Sequence, residues 1–442
     1  MIAYDFQLAL ASLKRNPGLS ALMVLAVALG IAVCAVTFTV YHAMATNPIE
    51  WKSDQLYEVT IDSWSPDEPA DTDQPDMPPA LLTYRDAMAM KDAGIARYNA
   101  VMYKSGAVLD AGRTGTKPFA ASLRLTTGDF FPMFDVPFQY GGPWGATADR
   151  NGDPVVVLSH ETNQKAFGGE NSVGRTVRIA NVEFRVAGVL EAWSPSPKFY
   201  DLNNGSFDEA EDAYLPFAFG AAHELPVYGN TNCWKSEKIE SARDFLNSEC
   251  VWVQMWAELP TVAERQRYQA ALDNYARAQK AAGRLPRPLN NRLFDVEQWL
   301  DFNHVVKKDN KVLVGIALLF LGVCLVNVVG LLLAKFLNGA ALTGLRRALG
   351  ASRRDIVRQH LAEVLLIGTA GGVLGLLLAA AGLAGIRTIY EPNHDAYDRL
   401  TSIDPTVVLA TLGLSLAAGL VAGLYPAWRI GRTAPAVYLK TQ

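Results

Sequence analysis

Four stretches of the chain contain no Asp, Glu, Lys or Arg: Leu19–Tyr41, Val312–Ala334, Val364–Ile386 and Pro405–Trp428. Each is 23 or 24 residues long, more than the about 20 apolar residues a helix needs to cross the hydrocarbon core of a bilayer. They predict transmembrane helices over 19–42, 309–335, 361–386 and 405–428. Between the first two, residues 43–308 show other periods. Alternation predicts strands at Gln55–Asp62, Ala100–Leu109 and Pro118–Leu125. A buried-type run predicts a strand at Pro154–Ser159, and Thr176–Ile179 with Glu183–Leu190 predicts a hairpin. Helical spacing marks Ala80–Ala93, His160–Phe167 and Thr261–Ala282, the last with Tyr268, Leu272 and Ala276 on one face and Arg265 and Arg267 on the other. The expected fold is an α-helical membrane protein with four transmembrane helices and a large α+β extracytoplasmic domain, in two lobes, between helices 1 and 2.

Composition supports this division. Hydrophobic residues make up 50% and charged residues 19%, at a net charge of -4, which excludes a soluble enzyme, a disordered chain and a basic nucleic-acid binder. The charges are unevenly placed. Residues 43–308 hold 26 Lys and Arg against 36 Asp and Glu, whereas residues 1–18, 335–360 and 427–442 together hold 11 basic and 2 acidic side chains. Basic residues concentrate in short cytoplasmic segments. Both termini and the 336–360 loop are therefore expected inside, with 43–308 and the short 387–404 loop outside. Residues 1–18 read as a cytoplasmic amphipathic helix broken at Asn16-Pro17-Gly18, and 429–442 as a tail. The first uncharged run exceeds a signal-peptide core, so it reads as a retained anchor.

Cysteine usage fits the same topology. Cys34 and Cys324 lie in spans as small packing residues. Cys233 and Cys250 stand alone in the outer segment and read as a disulfide, with no nearby Cys or His set for zinc. Three features with chemical overtones reduce to structure. Ser65–Pro79 is acidic and Pro-rich, predicting a mobile loop. Gly169–Thr176 approaches a phosphate loop but carries Arg175 where Lys belongs, and a helix precedes it where a strand is needed. Asp201–Asp212 approaches a calcium loop with its glycine one position early. No catalytic constellation and no metal set is present. The spans hold no ionisable group for ion coupling, Asn327 being among their few strongly polar side chains. Gly368, Gly371, Gly372, Gly375, Gly419 and Gly423 give small-residue spacings suited to close helix packing.

The loop between the second and third spans is more specific. Ala340–Leu349 is helix-prone and ends at Gly350, a suitable C′ residue. Ser352 with Asp355 forms a capping-box pattern opening the next helix. Gly344-Leu345-Arg346-Arg347-Ala348-Leu349-Gly350-Ala351-Ser352-Arg353-Arg354-Asp355 resembles the segment after the second transmembrane helix of FtsX-type ABC permeases, in particular the macrolide-exporter branch. Pro154–Leu190 resembles the outer domain of that branch, and Leu424–Arg429 with Ala434-Pro435 resembles its C-terminal ending. One departure is that Leu342 and Thr343 stand where the family commonly has an acidic residue, consistent with altered ATPase contact or with one half of a heterodimer. The resemblance implies that residues 344–355 couple to a cytoplasmic ABC ATPase carrying ATP and Mg, with no cofactor on this chain. It also implies a second FtsX-type permease as homo- or heterodimer partner, a membrane-fusion adaptor, an outer-membrane duct and surrounding membrane lipid. Nucleic acid is not an expected partner. Efflux of antibiotics, peptides or other amphiphiles is the implied function; lipoprotein release and transmembrane signalling to a cell-wall hydrolase are the alternatives.

Overall fold

The computed structural model describes residues 2–113, 115–306, 308–389 and 405–432. Most of the expected 387–404 loop and the tail with Ala434 and Pro435 lie outside the described residues. The chain divides into two compact units, Thr46–Val305 and the remainder.

In the membrane unit the four uncharged runs become helices Pro17–Ala45, Lys308–Asn338, Arg353–Ile389 and Pro405–Arg432. An N-terminal helix, Ile2–Arg15, precedes them. The expected break at Asn16-Pro17-Gly18 narrows to Asn16. Proline lacks only an N–H that the first helical turn leaves unused, so Pro17 starts the next helix.

The glycine spacings serve packing within the bundle. A Cβ on Gly419 would stand 3.4 Å from Gly368 Cα, and Ser415 Oγ donates to Gly368 O at 2.6 Å. Gly371 and Gly375 lie against Val27 and Ile31 of the first membrane helix. Cys34 and Cys324 are buried in the bundle as free thiols.

The outer unit is built on one ten-stranded sheet. Its strands are β1 (Leu56–Thr60), β2 (Tyr98–Asp110), β3 (Phe119–Thr126), β4 (Phe138–Gly141), β5 (Val155–Leu158), β6 (Thr176–Ile179), β7 (Val182–Leu190), β8 (Ala213–Pro216), β9 (Gln254–Glu258) and β10 (Arg292–Asp295). The order is β10-β1-β9-β2-β3-β8-β5-β7-β4, with β6 pairing β2 and β7. Thr46–Val305 thus forms a compact unit with an unbroken sheet and an apolar core on each face. Strand alternation sorts the side chains. Val101, Tyr103, Val156 and Leu158 enter one core, under the helices Tyr84–Asp92, His160–Phe167 and Val262–Ala281. Ala100, Met102, Val155 and Val157 enter the other, with Phe130, Trp256 and Trp299.

The acidic Ser65–Pro79 loop is tied to the unit instead of hanging free. Arg287 donates to Pro75 O at 3.2 Å, Asn290 to Asp76 O at 2.7 Å, and Gln74 to Phe302 O at 3.0 Å. Cys233 and Cys250 are joined by a disulfide with Cα atoms 4.2 Å apart.

Candidate functional site: the helix-turn between the second and third membrane helices

Residues 344–355 fold as two helix ends meeting at one glycine. A short helix, Ala340–Ala348, stops at Leu349, and Gly350 takes φ 107°, a left-handed value that glycine reaches without a Cβ clash. Gly350 N donates to Arg347 O, and Ala351 N to Arg346 O, both at 3.1 Å, closing the last turn. The next helix opens on a reciprocal cap. Asp355 N donates to Ser352 Oγ at 3.2 Å, while Ser352 N donates to Asp355 Oδ2 at 3.1 Å.

This corner has an inner and an outer side. Gly344 and Ile356 are buried, and Ala351 packs on the bundle core. Leu345 is 50% and Leu349 80% exposed, with Ala348, Arg353 and Arg354 exposed beside them. Arg346 donates to Gln359 Oε1, which fastens the short helix to the following one. Arg358 lies 3.4 Å from Asp355. The side chains of Leu342 and Thr343 lie outside the described residues.

Directly behind the corner is a buried polar cluster that the uncharged runs hide. Lys335, at the end of the second membrane helix, pairs with Glu363 of the third; the two side chains are 3% and 0% exposed. Ser12 Oγ donates to the same carboxylate at 3.1 Å, and Lys335 donates to Ser20 Oγ at 3.5 Å. The ring of His360 lies 3.9 Å from that of Phe336. The membrane helices therefore extend beyond their uncharged runs and carry a carboxylate, which corrects the expectation of spans without ionisable groups. Sequence reasoning counted Lys335 among the loop charges. The available signal was an opposite pair of charges, each one residue beyond an uncharged run.

The outer unit holds a second buried network. Arg124 donates to both Asp201 and Glu211, and Lys198 Nζ lies 3.3 Å from Glu211 Oε1; all four side chains are fully buried. Burial raises the proton affinity of Asp201 and Glu211, but Arg124 and Lys198 outweigh it and hold both carboxyls below their ordinary range. The calcium-like Asp201 is thus one member of a salt-bridge network. The phosphate-loop-like Gly169–Thr176 joins a helix to β6, and Arg175 pairs with Glu170 at 3.0 Å.

Four membrane-length helices, an α+β domain inserted after the first, and a capped basic corner between the second and third define a transporter permease subunit. The MacB-like periplasmic core domain matches residues 20–275 and the FtsX-like permease C-terminal domain matches residues 314–435. The chain belongs to the MacB/FtsX-type ABC transporter permeases, inner-membrane proteins with an extracytoplasmic domain. Among curated relatives, the macrolide export ATP-binding/permease protein MacB of Syntrophobacter fumaroxidans is 25% identical over 375 residues, covering 77% of this chain and 48% of that protein. The pyoverdine export ATP-binding/permease protein PvdT of Pseudomonas aeruginosa is 23% identical over 368 residues, covering 83% and 49%. The chain spans about half the length of these relatives. The periplasmic region of MacB from Actinobacillus actinomycetemcomitans aligns over 57% of this chain and 94% of its own at 14% identity, with a TM-score of 0.36.

Proposed function

We propose that this chain is the non-catalytic permease subunit of an ABC exporter, converting ATP hydrolysis by a separate cytoplasmic ATPase into movement of its outer domain. Both termini and residues 344–355 lie in the cytoplasm, following the basic bias of those segments. The observation that carries the reading is the exposed surface Leu345, Ala348, Leu349, Arg353 and Arg354 on a corner braced from behind. Large apolar side chains flanked by Arg are the composition of a protein interface, and an anchor needs only the charge. The cargo is an antibiotic, peptide or other amphiphile, handed outward with a membrane-fusion adaptor and an outer-membrane duct.

A second permease copy, identical or not, completes the unit. Asn327 is exposed on the second membrane helix beside Val323 and Val326, which are 60% and 71% exposed. An amide facing hydrocarbon is costly and gains from a partner across a helix interface. ATP binds and is hydrolysed on the ATPase chain, with Mg; residues of this chain do neither.

The test is identification of what copurifies with the full chain in mild detergent, followed by ATP-driven export in sealed vesicles. An ABC ATPase and an adaptor are expected, with export persisting when a protonophore collapses the ion gradient. A lipoprotein or a cell-wall hydrolase in place of the adaptor, or export abolished by the protonophore while ATP remains, overturns the reading.

A further inference from the structure

A cleft of about 390 Å³ opens beside the buried Lys335–Glu363 pair, between the N-terminal helix, the end of the second membrane helix and the start of the third. Arg15, Asn16, Lys335, Arg346, Gln359 and His360 line it. We propose that this cleft binds the phosphate of an anionic phospholipid headgroup.

The first argument is charge. Three permanent cations and one histidine line the cleft; the carboxylates near them are Glu363, which is taken up by Lys335 and Ser12, and Asp355, which is taken up by Ser352 and Arg358. Among the described residues lining the cleft there is no carboxylate, so the lining itself is cationic. The donors also retain capacity. Lys335 has three N–H bonds and directs them to Glu363 and Ser20, and Arg346 has five and directs one to Gln359. His360 is 8% exposed and its Nδ1 has no hydrogen-bond partner, the nearest carboxylate oxygen being 3.7 Å away. A phosphate with several acceptor oxygens matches this donor set.

The second argument is depth. Arg15 and Asn16 precede the uncharged run from Leu19, Lys335 follows the run ending at Ala334, and His360 precedes the run from Val364. The cleft therefore lies where three apolar runs leave the hydrocarbon, which is the level of the lipid phosphates. Basic pockets between membrane helices at that level suit anionic headgroups. This inference does not depend on ATPase docking, because lipid binding is read on the permease chain without an ATPase.

The test uses the full chain in detergent, titrated with phosphatidylglycerol or phosphatidylcholine, with bound lipid counted by native mass spectrometry. Phosphatidylglycerol is expected to bind in preference. Arg15→Gln is expected to weaken it several-fold, and Arg15→Gln with Arg346→Gln roughly thirtyfold, two interfacial charges being lost. Arg267→Gln in the outer unit is the control and leaves binding unchanged. Equal binding of both lipids, or unchanged retention in the double variant, overturns the proposal. Displacement by 10 mM inorganic phosphate also overturns it, because that result assigns the cleft to a soluble anion.

Discussion

Neutralising one partner of the Lys335–Glu363 pair should damage the membrane unit more than removing both. The two side chains are 3% and 0% exposed, so a single replacement leaves its partner buried without its counter-charge. Breaking a buried pair in this way costs about 3–5 kcal/mol, whereas replacing both members with apolar groups is close to neutral. Ser12 and Ser20 can hydrogen-bond what remains, and the Lys stem can carry its ammonium toward the interface, so each single value belongs at the lower end, about 3 kcal/mol. At about 2–4 °C per kcal/mol for a unit of this size, Lys335→Met and Glu363→Gln should each lower the melting midpoint of the detergent-solubilised chain by about 6–12 °C. Lys335→Met combined with Glu363→Leu should fall within about 4 °C of the starting protein. A double variant that loses the sum of the single losses would refute the reasoning, because the two groups would then act independently.

Other consequences concern packing and the outer unit. A Cβ on Gly375 would stand 2.8 Å from Ile31 Cγ2 and 2.9 Å from Ala28 O, so Gly375→Val should destabilise the bundle by about 1–3 kcal/mol in the same melting assay, with an unchanged midpoint as the contrary result. Replacing Cys233 and Cys250 by Ser opens a loop with a separation of 17 residues and should lower outer-unit stability by about 3 kcal/mol. Non-reducing peptide maps of the parent protein from an oxidising compartment should show the bonded pair, and free thiols would contradict it. Burial holds the Glu58 carboxyl well above its usual range. A raised folded-state value supplies stability that is complete below the unfolded value of about 4.3 and is lost as pH rises toward the folded one. Glu58→Gln escapes that loss, so its melting advantage over the parent should be small near pH 4 and grow toward pH 8; an advantage that shrinks over that range would reverse the assignment.

How much of this was legible follows from the range of the interactions involved. The membrane helices were, because a missing charge is a local property, and the Ser352–Asp355 cap was, because its partners are three residues apart. The β6–β7 hairpin and the His160–Phe167 helix were legible for the same reason. Strand β9 was not. Gln254 and Glu258 are both buried, one bonded to Arg124 and the other paired with Lys52 and Arg97, so its pattern does not alternate. Arg124 in β3 is fully buried, which alternation within a strand does not signal for an arginine. Its carboxylate partners arrive from 77 and 87 residues along the chain. Strand β8 is four residues ending in Pro216, too short to show a period. The inner half of the candidate site was hidden likewise, since the Lys335–Glu363 contact spans 28 residues and needs the folded bundle to form.

The central claim is that residues 344–355 carry force between an ATPase and the membrane helices. Leu345 and Leu349 are exposed and make no described contribution to the bundle core, so Leu345→Asp with Leu349→Asp leaves folding intact while placing two carboxylates on the docking face. The measurement is ATP hydrolysis by the copurified ATPase, with and without the permease variant, in the same lipid and at the same melting midpoint. The account predicts that the variant inserts and melts normally, releases the ATPase and loses its stimulation at least tenfold, while Arg267→Glu in the outer unit does neither. A variant that still binds and stimulates the ATPase like the parent chain would contradict it.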